Sequence, residues 1–187
     1  MNAIAGAAQQ VQAACERAGW GFCFIGGLAV LRWGEARVTR DVDVIVLAPY
    51  GSEAPIVARL LDEFTPRGDD PVAFARANRV VLLETEDGVP IDVALGGVPF
   101  EERAVARASV GSFIDGVPLR TCSAEDLVVM KAFAARAHDW ADIEGIVARQ
   151  AGSLDVAQIL AEAAPLLAVR NDPGRMARLE SLLHAPP

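Results

Sequence analysis

Two aspartates separated by one residue, Asp41 and Asp43, stand at the start of an apolar segment, Val42–Leu47, which the sequence predicts to be a strand. Residues i and i+2 of a strand point to the same face, so the two carboxylates face the same way. About 4 Å apart, two ionised carboxylates repel by roughly 4 kcal/mol at an effective dielectric constant of 20. The pair therefore indicates a cation, and Mg²⁺ suits it because this ion takes a few carboxylates together with waters and substrate phosphates.

A third acid, Asp92, lies among apolar residues in a second predicted strand, residues 89–95. A preceding strand, residues 80–85, is joined to it by Glu86-Asp87-Gly88, which is a hairpin signal. Three strand acids that converge near a phosphate-binding loop suit a two-metal displacement at phosphorus. The metal ligands predicted from the sequence are therefore Asp41, Asp43 and Asp92.

The phosphate-binding loop is predicted at Gly26-Gly27, which ends an apolar strand over residues 21–25 and leads into a short helix over residues 28–33. Glycine lets the backbone approach a ligand closely, and the start of a helix offers free N–H groups to an anion. Taken singly, a Gly-Gly pair is usually a turn and an Asp-x-Asp is usually a solvated strand edge. Both motifs in this order within one short segment indicate a phosphate- and metal-binding site much more specifically than either motif alone.

The basic residues are 16 arginines and a single lysine, Lys131. In a chain that favours arginine so strongly, a lone lysine indicates a role for a compact ammonium group, such as a point charge on phosphate. The alternative is an ordinary lysine on the surface of a helix.

The remaining periodicity predicts an α/β fold, with a small mixed sheet flanked by helices over residues 1–120 and a helical region over residues 121–187. A hairpin is predicted around Asp115-Gly116, and Ser123 is predicted to cap a helix with Asp126 three residues later. Residues 65–71 are predicted to be a surface loop. Further helices are predicted over residues 3–18, 55–64, 99–108, 139–149, 153–168 and 174–183.

Composition limits the class of protein. Hydrophobic residues make up 52% and charged residues 22%, which excludes a disordered chain, and neither a membrane span nor a signal peptide is found. The three cysteines are scattered without a Cys-x-x-Cys pair, so neither a zinc site nor a disulfide framework is expected. The expected compartment is the cytoplasm.

The net charge of -8 disfavours broad nucleic-acid binding, because affinity for a phosphate backbone comes from clustered lysines and arginines. A local groove of arginines stays possible, and an acidic surface also suits a cationic small substrate.

The motif formed by these residues resembles the signature of the polymerase-β-like nucleotidyltransferase superfamily. It consists of Gly26-Gly27-x-Ala29, Gly34 and Arg37-x-Thr39-x-Asp41-x-Asp43. The similarity is to the Gly-Gly branch, which includes aminoglycoside and lincosamide nucleotidyltransferases and the AbiEii-type toxins of toxin–antitoxin systems. Gly27 stands where the commoner Gly-Ser form has serine. Asp92 matches the family's third metal carboxylate.

A second run, Lys131-x-x-x-x-Arg136-x-x-Asp139-x-x-Asp142, resembles a helical motif of the toxin-like branch. The resemblance spans about residues 22–146 and implies the nucleotidyltransferase fold. For Asp139 and Asp142 the alternative is that acids in a first helical turn stabilise the helix dipole.

The resemblance implies a role for each site residue. Gly26 and Gly27 would bind the triphosphate through backbone N–H groups, and the three strand acids would hold Mg²⁺ or Mn²⁺. Asp92 would also accept the acceptor's proton, Lys131 would contact phosphate, and Asp139 would orient the acceptor or act as base. The residues implied to steady phosphates are Arg37, Thr39 and Arg40.

The implied activity is metal-dependent transfer of NMP from an NTP, such as ATP, to an acceptor. The helical motif makes a toxin that modifies RNA or protein, with a cognate antitoxin, the first expectation. The acidic charge favours instead a drug-modifying enzyme of the aminoglycoside or lincosamide type. A non-catalytic, antitoxin-like nucleotide-binding partner is the third alternative, and the presence of all three acids argues against it.

Overall fold

The computed structural model describes residues 2–184, which form two compact units. The first unit contains the described residues up to Leu28 together with Val38–Cys122. The second contains Ala29–Arg37 together with the described residues from Ser123 onward. The units differ from the predicted regions 1–120 and 121–187 in one main respect, because residues 29–37 group with the helices of the second unit.

The first unit is built on a seven-stranded mixed sheet with the strand order β3-β4-β5-β2-β1-β7-β6. The central strands β2 and β5 are parallel, and β1 runs antiparallel to β2 and parallel to β7. The strands are β1 (Phe22–Phe24), β2 (Val42–Leu47), β3 (Thr65–Pro66), β4 (Val80–Glu84), β5 (Pro90–Gly96), β6 (Ser109–Ile114) and β7 (Val117–Thr121).

Four helices of the first unit accompany this sheet: α1 (Ala3–Ala18), α3 (Glu53–Glu63), α4 (Pro71–Asn78) and α5 (Pro99–Arg107). Helix α1 is capped by the Asn2 side chain, which accepts from the Ile4 N–H, and it ends at Gly19 in the left-handed conformation. Its apolar face is buried, and α1 packs on β2 and β7. One face of each central strand is buried, whereas the face that carries Asp43 in β2 and Asp92 in β5 is mostly half-buried.

The second unit is helical. Helix α2 (Gly26–Trp33) begins in the first unit and continues into the second, which also holds α6 (Ala124–Ala134), α7 (Ala137–Arg149), α8 (Val156–Ala168) and α9 (Pro173–Leu183). The Ser123 side chain accepts from the Asp126 N–H at the start of α6, as predicted. Asp155 and Asp172 cap α8 and α9 in the same way.

The predicted fold class is confirmed, as are the hairpins around Gly88 and Gly116. Two local predictions were wrong. Residues 65–71 are not only a loop, because Thr65 and Pro66 pair with β4 as a short edge strand. Helix α4 was missed: its eight residues are too few for a clear hydrophobic period, although an Asp70 cap before Pro71 marks its start.

Helix α2 begins at Gly26 instead of Leu28, so the glycine pair forms the first turn of the helix. Helix α8 begins at Val156, three residues later than predicted, because Asp155 is its cap. Within residues 2–184 no helix is long and apolar enough to cross a membrane. The cysteines Cys15, Cys23 and Cys122 are buried as free thiols.

Candidate active site

The start of helix α2 lies directly beside strand β2. Phe24 is in register with Val44, and the Ile25 N–H donates to the Asp43 carbonyl oxygen over 2.9 Å. Gly26 follows at once, in the left-handed region with φ of 54°. A Cβ atom at Gly26 would lie 2.6 Å from Asp43 Cγ, so both the backbone conformation and the space require glycine. The first turn of α2 and the Asp43 carboxylate are therefore neighbours.

The second glycine of the pair is close to Thr39. A Cβ atom at Gly27 would lie 2.8 Å from the Cβ atom of Thr39 and closer still to its hydroxyl oxygen. The Thr39 hydroxyl is 3.3 Å from both the carbonyl oxygen and the Oδ1 atom of Asp41. Thr39 thus links the helix start to the first acid of the Asp-x-Asp pair.

Asp43 and Asp92 stand side by side, because they are in register on the parallel strands β2 and β5. In-register neighbours of a parallel pair point to the same face of the sheet. Both residues are half-buried, and the Asp92 side chain keeps 38% of its surface exposed. Asp41 precedes β2 by one residue and is also half-buried. Asp41, Asp43 and Asp92 are called the strand acids below.

Arg67, which the sequence does not single out, contacts Asp92. Its guanidinium donates to the Leu83 carbonyl oxygen over 2.9 Å and forms an ion pair with Asp92. Arg67 follows the short edge strand β3, and its own N–H donates to the Leu82 carbonyl oxygen. The sequence gives no signal for this contact, because it predicts a loop over residues 65–71, and the pairing of β3 with β4 brings Arg67 near Asp92.

The strand acids suit Mg²⁺ or Mn²⁺ by their chemistry. Residues 2–184 contain no group of three His, Cys, Asp or Glu side chains that converge as a protein metal cage. Mg²⁺ does not need such a cage, since it usually binds one or two carboxylates together with waters and substrate phosphates. Two in-register carboxylates beside a glycine-lined helix start fit that requirement.

In the second unit, Lys131 is buried between two acids of α7. Its Nζ atom is 2.9 Å from Asp139 Oδ1 and 2.6 Å from Asp142 Oδ2. The side chain of Lys131 is 5% exposed, that of Asp139 is fully buried and that of Asp142 is 6% exposed. The lone lysine is therefore not an ordinary surface residue.

Two arginines extend this group of charges. The Arg37 guanidinium donates to both oxygens of Asp142, over 2.8 and 3.1 Å. Arg136 donates to Asp139 from its guanidinium and from its backbone N–H, over 2.7 and 3.1 Å. Arg37 and Arg136 are themselves exposed and reach the buried acids from the surface. The group is called the buried ion cluster below, after its buried members, and consists of Arg37, Lys131, Arg136, Asp139 and Asp142.

The buried ion cluster keeps both of its acids ionised. Burial by itself would raise the pKa of Asp139, but hydrogen bonds from Arg136 and Lys131 and the lysine charge outweigh it and lower that pKa to about 2. The pKa of Asp142 is also lowered, because hydrogen bonds from Arg37 and Lys131 outweigh the effect of burial. A carboxylate with a pKa near 2 is a weak general base at neutral pH.

The predicted site residues thus fall into two groups. The first unit holds Gly26, Gly27, Thr39, Arg40, Asp41, Asp43 and Asp92, and Arg40 is exposed. The second unit holds Arg37, Lys131 and Asp139. The phosphate role of Lys131 and the acceptor role of Asp139 stay predictions.

Solved structures of other proteins share this architecture. The antibiotic-resistance factor ANT(2'')-Ia aligns over 87% of this chain and 90% of its own, with 16% sequence identity and a TM-score of 0.57. An antigenic nucleotidyltransferase-like protein from Paracoccidioides brasiliensis aligns over 95% of this chain and 90% of its own, with 14% identity and a TM-score of 0.53. This chain has the nucleotidyltransferase fold.

The lincosamide antibiotic adenylyltransferase LnuA, in a lincomycin-bound structure, shares the nucleotidyltransferase fold as well. It aligns over 73% of this chain and 91% of its own, with 14% identity and a TM-score of 0.50. No model of a known protein family matches the sequence, and no curated protein matches it. At these identities the likeness shows the nucleotidyltransferase fold alone.

Proposed function

We propose that this protein is a metal-dependent nucleotidyltransferase, which transfers NMP from an NTP to an acceptor and releases pyrophosphate. The observation that supports this most directly is the in-register pair of Asp43 and Asp92 next to the glycine start of helix α2. This arrangement puts carboxylates suited to a divalent cation beside backbone N–H groups suited to phosphate.

Each group has a distinct task in this scheme. The backbone N–H groups of Gly26 and Gly27 donate to the phosphates of the NTP, and the strand acids hold Mg²⁺ or Mn²⁺. When bound, the cation neutralises the charge that develops on the transferred phosphoryl group. Arg40 steadies the phosphates from the segment before β2, whereas the Thr39 hydroxyl is turned towards Asp41. Asp92 accepts the acceptor's proton, since it lies beside Asp43 and is partly exposed.

A small cationic acceptor is favoured by the net charge of -8. It is also in line with the names of two proteins that share the fold, one solved with adenylyl-2''-tobramycin and one with lincomycin. A drug-type nucleotidyltransferase is therefore the first hypothesis for the acceptor.

An AbiEii-like toxin is the second hypothesis, and it rests on the helical motif from Lys131 to Asp142. It requires RNA or protein as acceptor and a cognate antitoxin as partner. In this hypothesis Lys131 contacts phosphate, and Arg40 contributes to RNA binding. A non-catalytic, antitoxin-like nucleotide-binding partner is the third hypothesis.

A label-transfer experiment separates these hypotheses. The protein is incubated with each of the four NTPs labelled at the α-phosphate, with Mg²⁺, Mn²⁺ or EDTA. Separate tubes contain total tRNA, candidate partner proteins, an aminoglycoside panel and a lincosamide panel. Label on one class of acceptor that disappears with EDTA and in Asp43→Asn identifies the activity. Asp87→Asn is the matched control, because this acid lies in the exposed turn between β4 and β5.

Label on antibiotics only supports the drug-type enzyme. Label on tRNA that is lost in Arg40→Ala, which changes an exposed arginine, supports the toxin. NTP binding without label on any acceptor points to the non-catalytic partner, and NTP binding that is equal with EDTA contradicts the metal assignment.

A further inference from the structure

Position 27 and the side chain of Thr39 compete for one space. A Cβ atom at residue 27 would lie 2.8 Å from Thr39 Cβ and 3.8 Å from its Cγ2 atom. Separations below 3.0 Å are not sustained by real Cβ atoms, so a side chain at residue 27 would force Thr39 to shift. Gly26 is in the left-handed region, whereas Gly27 is not. Space, and not backbone conformation, therefore requires glycine at position 27.

The Thr39 hydroxyl fills that space and also contacts Asp41. It is 3.3 Å from the Asp41 Oδ1 atom and 3.3 Å from the Asp41 carbonyl oxygen. A hydroxyl has one proton to donate, and a carboxylate oxygen is the stronger acceptor. Thr39 is half-buried against the first turn of α2, so its hydroxyl is held between the helix start and the first strand acid.

We propose that Thr39 is a positioning residue, whose hydroxyl orients Asp41 from the space that a side chain at residue 27 would otherwise occupy. The proposal deepens the proposed function, on which it rests, by assigning one hydroxyl to the site. In this protein, a serine at position 27 is expected to need the space of the Thr39 side chain, and with glycine at position 39 its hydroxyl is expected to replace that of Thr39.

The orienting role is tested by substitutions that separate volume from the hydroxyl. Thr39→Val keeps the volume and removes the hydroxyl, whereas Thr39→Ser keeps the hydroxyl. Calorimetry with Mn²⁺ and a non-hydrolysable NTP measures binding. We expect about tenfold weaker binding in Thr39→Val, since a hydrogen bond to a charged group is lost, and near wild-type binding in Thr39→Ser. Thr65→Val, at an exposed threonine of β3, is the matched control.

Equal binding by wild type and Thr39→Val overturns the orienting role. The orienting role is also overturned if Thr39→Ser binds Mn²⁺ and NTP as weakly as Thr39→Val, because the hydroxyl would then not determine the affinity.

The shared space is tested by exchanging the two residues. Gly27→Ser alone should lower the melting temperature by roughly 2–10 °C, as an overpacked site does. Adding Thr39→Gly should restore the melting temperature and also most of the Mn²⁺–NTP affinity. The control pair Gly27→Ala with Thr39→Gly should restore the melting temperature but not the affinity, since it lacks a hydroxyl.

A double exchange that is no more stable than Gly27→Ser contradicts the shared space. Equal affinities for the serine and alanine double variants contradict the supply of a hydroxyl from position 27. If the wild-type protein binds no NTP, the proposed function fails. In that case the orienting role fails with it, while the melting temperatures still decide whether the space is shared.

Discussion

The strand acids and the buried ion cluster both contain aspartates, and these aspartates differ in their exposure to solvent. The Asp92 side chain is 38% exposed, while the side chains of Asp139 and Asp142 are 0% and 6% exposed. In the buried ion cluster one lysine and two arginines face two acids. Among the strand acids, Asp43 and Asp92 lie in register on adjacent strands.

This difference in exposure separates acids that are able to bind a ligand from acids that stabilise the fold. Asp43 and Asp92 are partly exposed and Asp92 pairs with the partly exposed Arg67, so a divalent cation can reach these carboxylates from solvent and compete with that arginine. Buried carboxylates that already pair with protein cations gain less stabilisation from a divalent cation. Removal of one of their partners leaves an unpaired charge in the protein interior. The contrast makes the strand acids the better candidates for catalysis, and it gives the lone lysine a role in the fold of the second unit.

The largest effect is expected at the strand acids. Asp43→Asn should lower the rate of nucleotidyl transfer by more than about 100-fold, since even the loss of groups that support metal ligands costs 10–100-fold. The melting temperature should change little, because the carboxylate is half-buried and asparagine is isosteric. Transfer assays with the four labelled NTPs measure this, and an active Asp43→Asn protein would contradict the scheme.

Substitutions in the buried ion cluster should have a large effect on stability, unlike the substitution of Asp43. Lys131→Ala leaves two buried carboxylates without their ammonium partner, so we expect a loss of about 3–5 kcal/mol in the free energy of unfolding. Arg17→Ala is the matched control: it breaks a surface pair with Glu63, in which Arg17 is 56% exposed, and should cost no more than about 1 kcal/mol. Urea denaturation measures both values.

NTP affinity of the same variants tests the predicted phosphate contact of Lys131. If that contact exists, Lys131→Ala weakens NTP binding under conditions where the protein is folded. Lys131→Arg then restores binding only in part, because the guanidinium is larger and planar. Unchanged NTP affinity in Lys131→Ala would contradict the phosphate contact and leave Lys131 with a structural role in the buried ion cluster.

A smaller effect is expected from pH. The pKa of Asp139 is lowered from 3.8 to about 2 in the folded protein, so its contribution to stability is fully present above its unfolded-state pKa. That contribution is lost as the pH falls from about 4 towards 2. Asp139→Asn should therefore show a shallower loss of stability over this range, measured by urea denaturation at each pH. A slope equal to that of the wild type would contradict the ionised, paired state of Asp139.

The smallest effect concerns Arg67, the cation beside the strand acids. Arg67→Gln removes a positive charge that competes with a metal ion for Asp92, so Mn²⁺ binding should tighten. We expect a change of about threefold to fivefold, since a partly exposed ion pair is worth at most about 1 kcal/mol. Arg59→Gln, in a surface pair on α3, should leave the affinity unchanged. Weaker Mn²⁺ binding in Arg67→Gln would show that Arg67 supports Asp92.

The positions of several helices and strands, and the α/β fold class, follow from local signals in the sequence. Local signals placed Asp43 on β2 and Asp92 on β5, capped α6 at Ser123, and separated a mixed α/β part from a helical part. These features follow from alternation, capping and turn chemistry, which act over a few residues. The α/β fold class was predictable for the same reason.

Contacts between charged side chains that are far apart in the sequence are set by the tertiary structure. The pairing of β2 with β5 brings Asp43 beside Asp92, 49 positions further along the chain, and the pairing of β3 with β4 brings Arg67 to Asp92. The packing of α6 with α7 buries Lys131 between Asp139 and Asp142. The sequence shows that these residues can ionise, but burial and long-range strand register set whether each charge faces a ligand or another part of the protein.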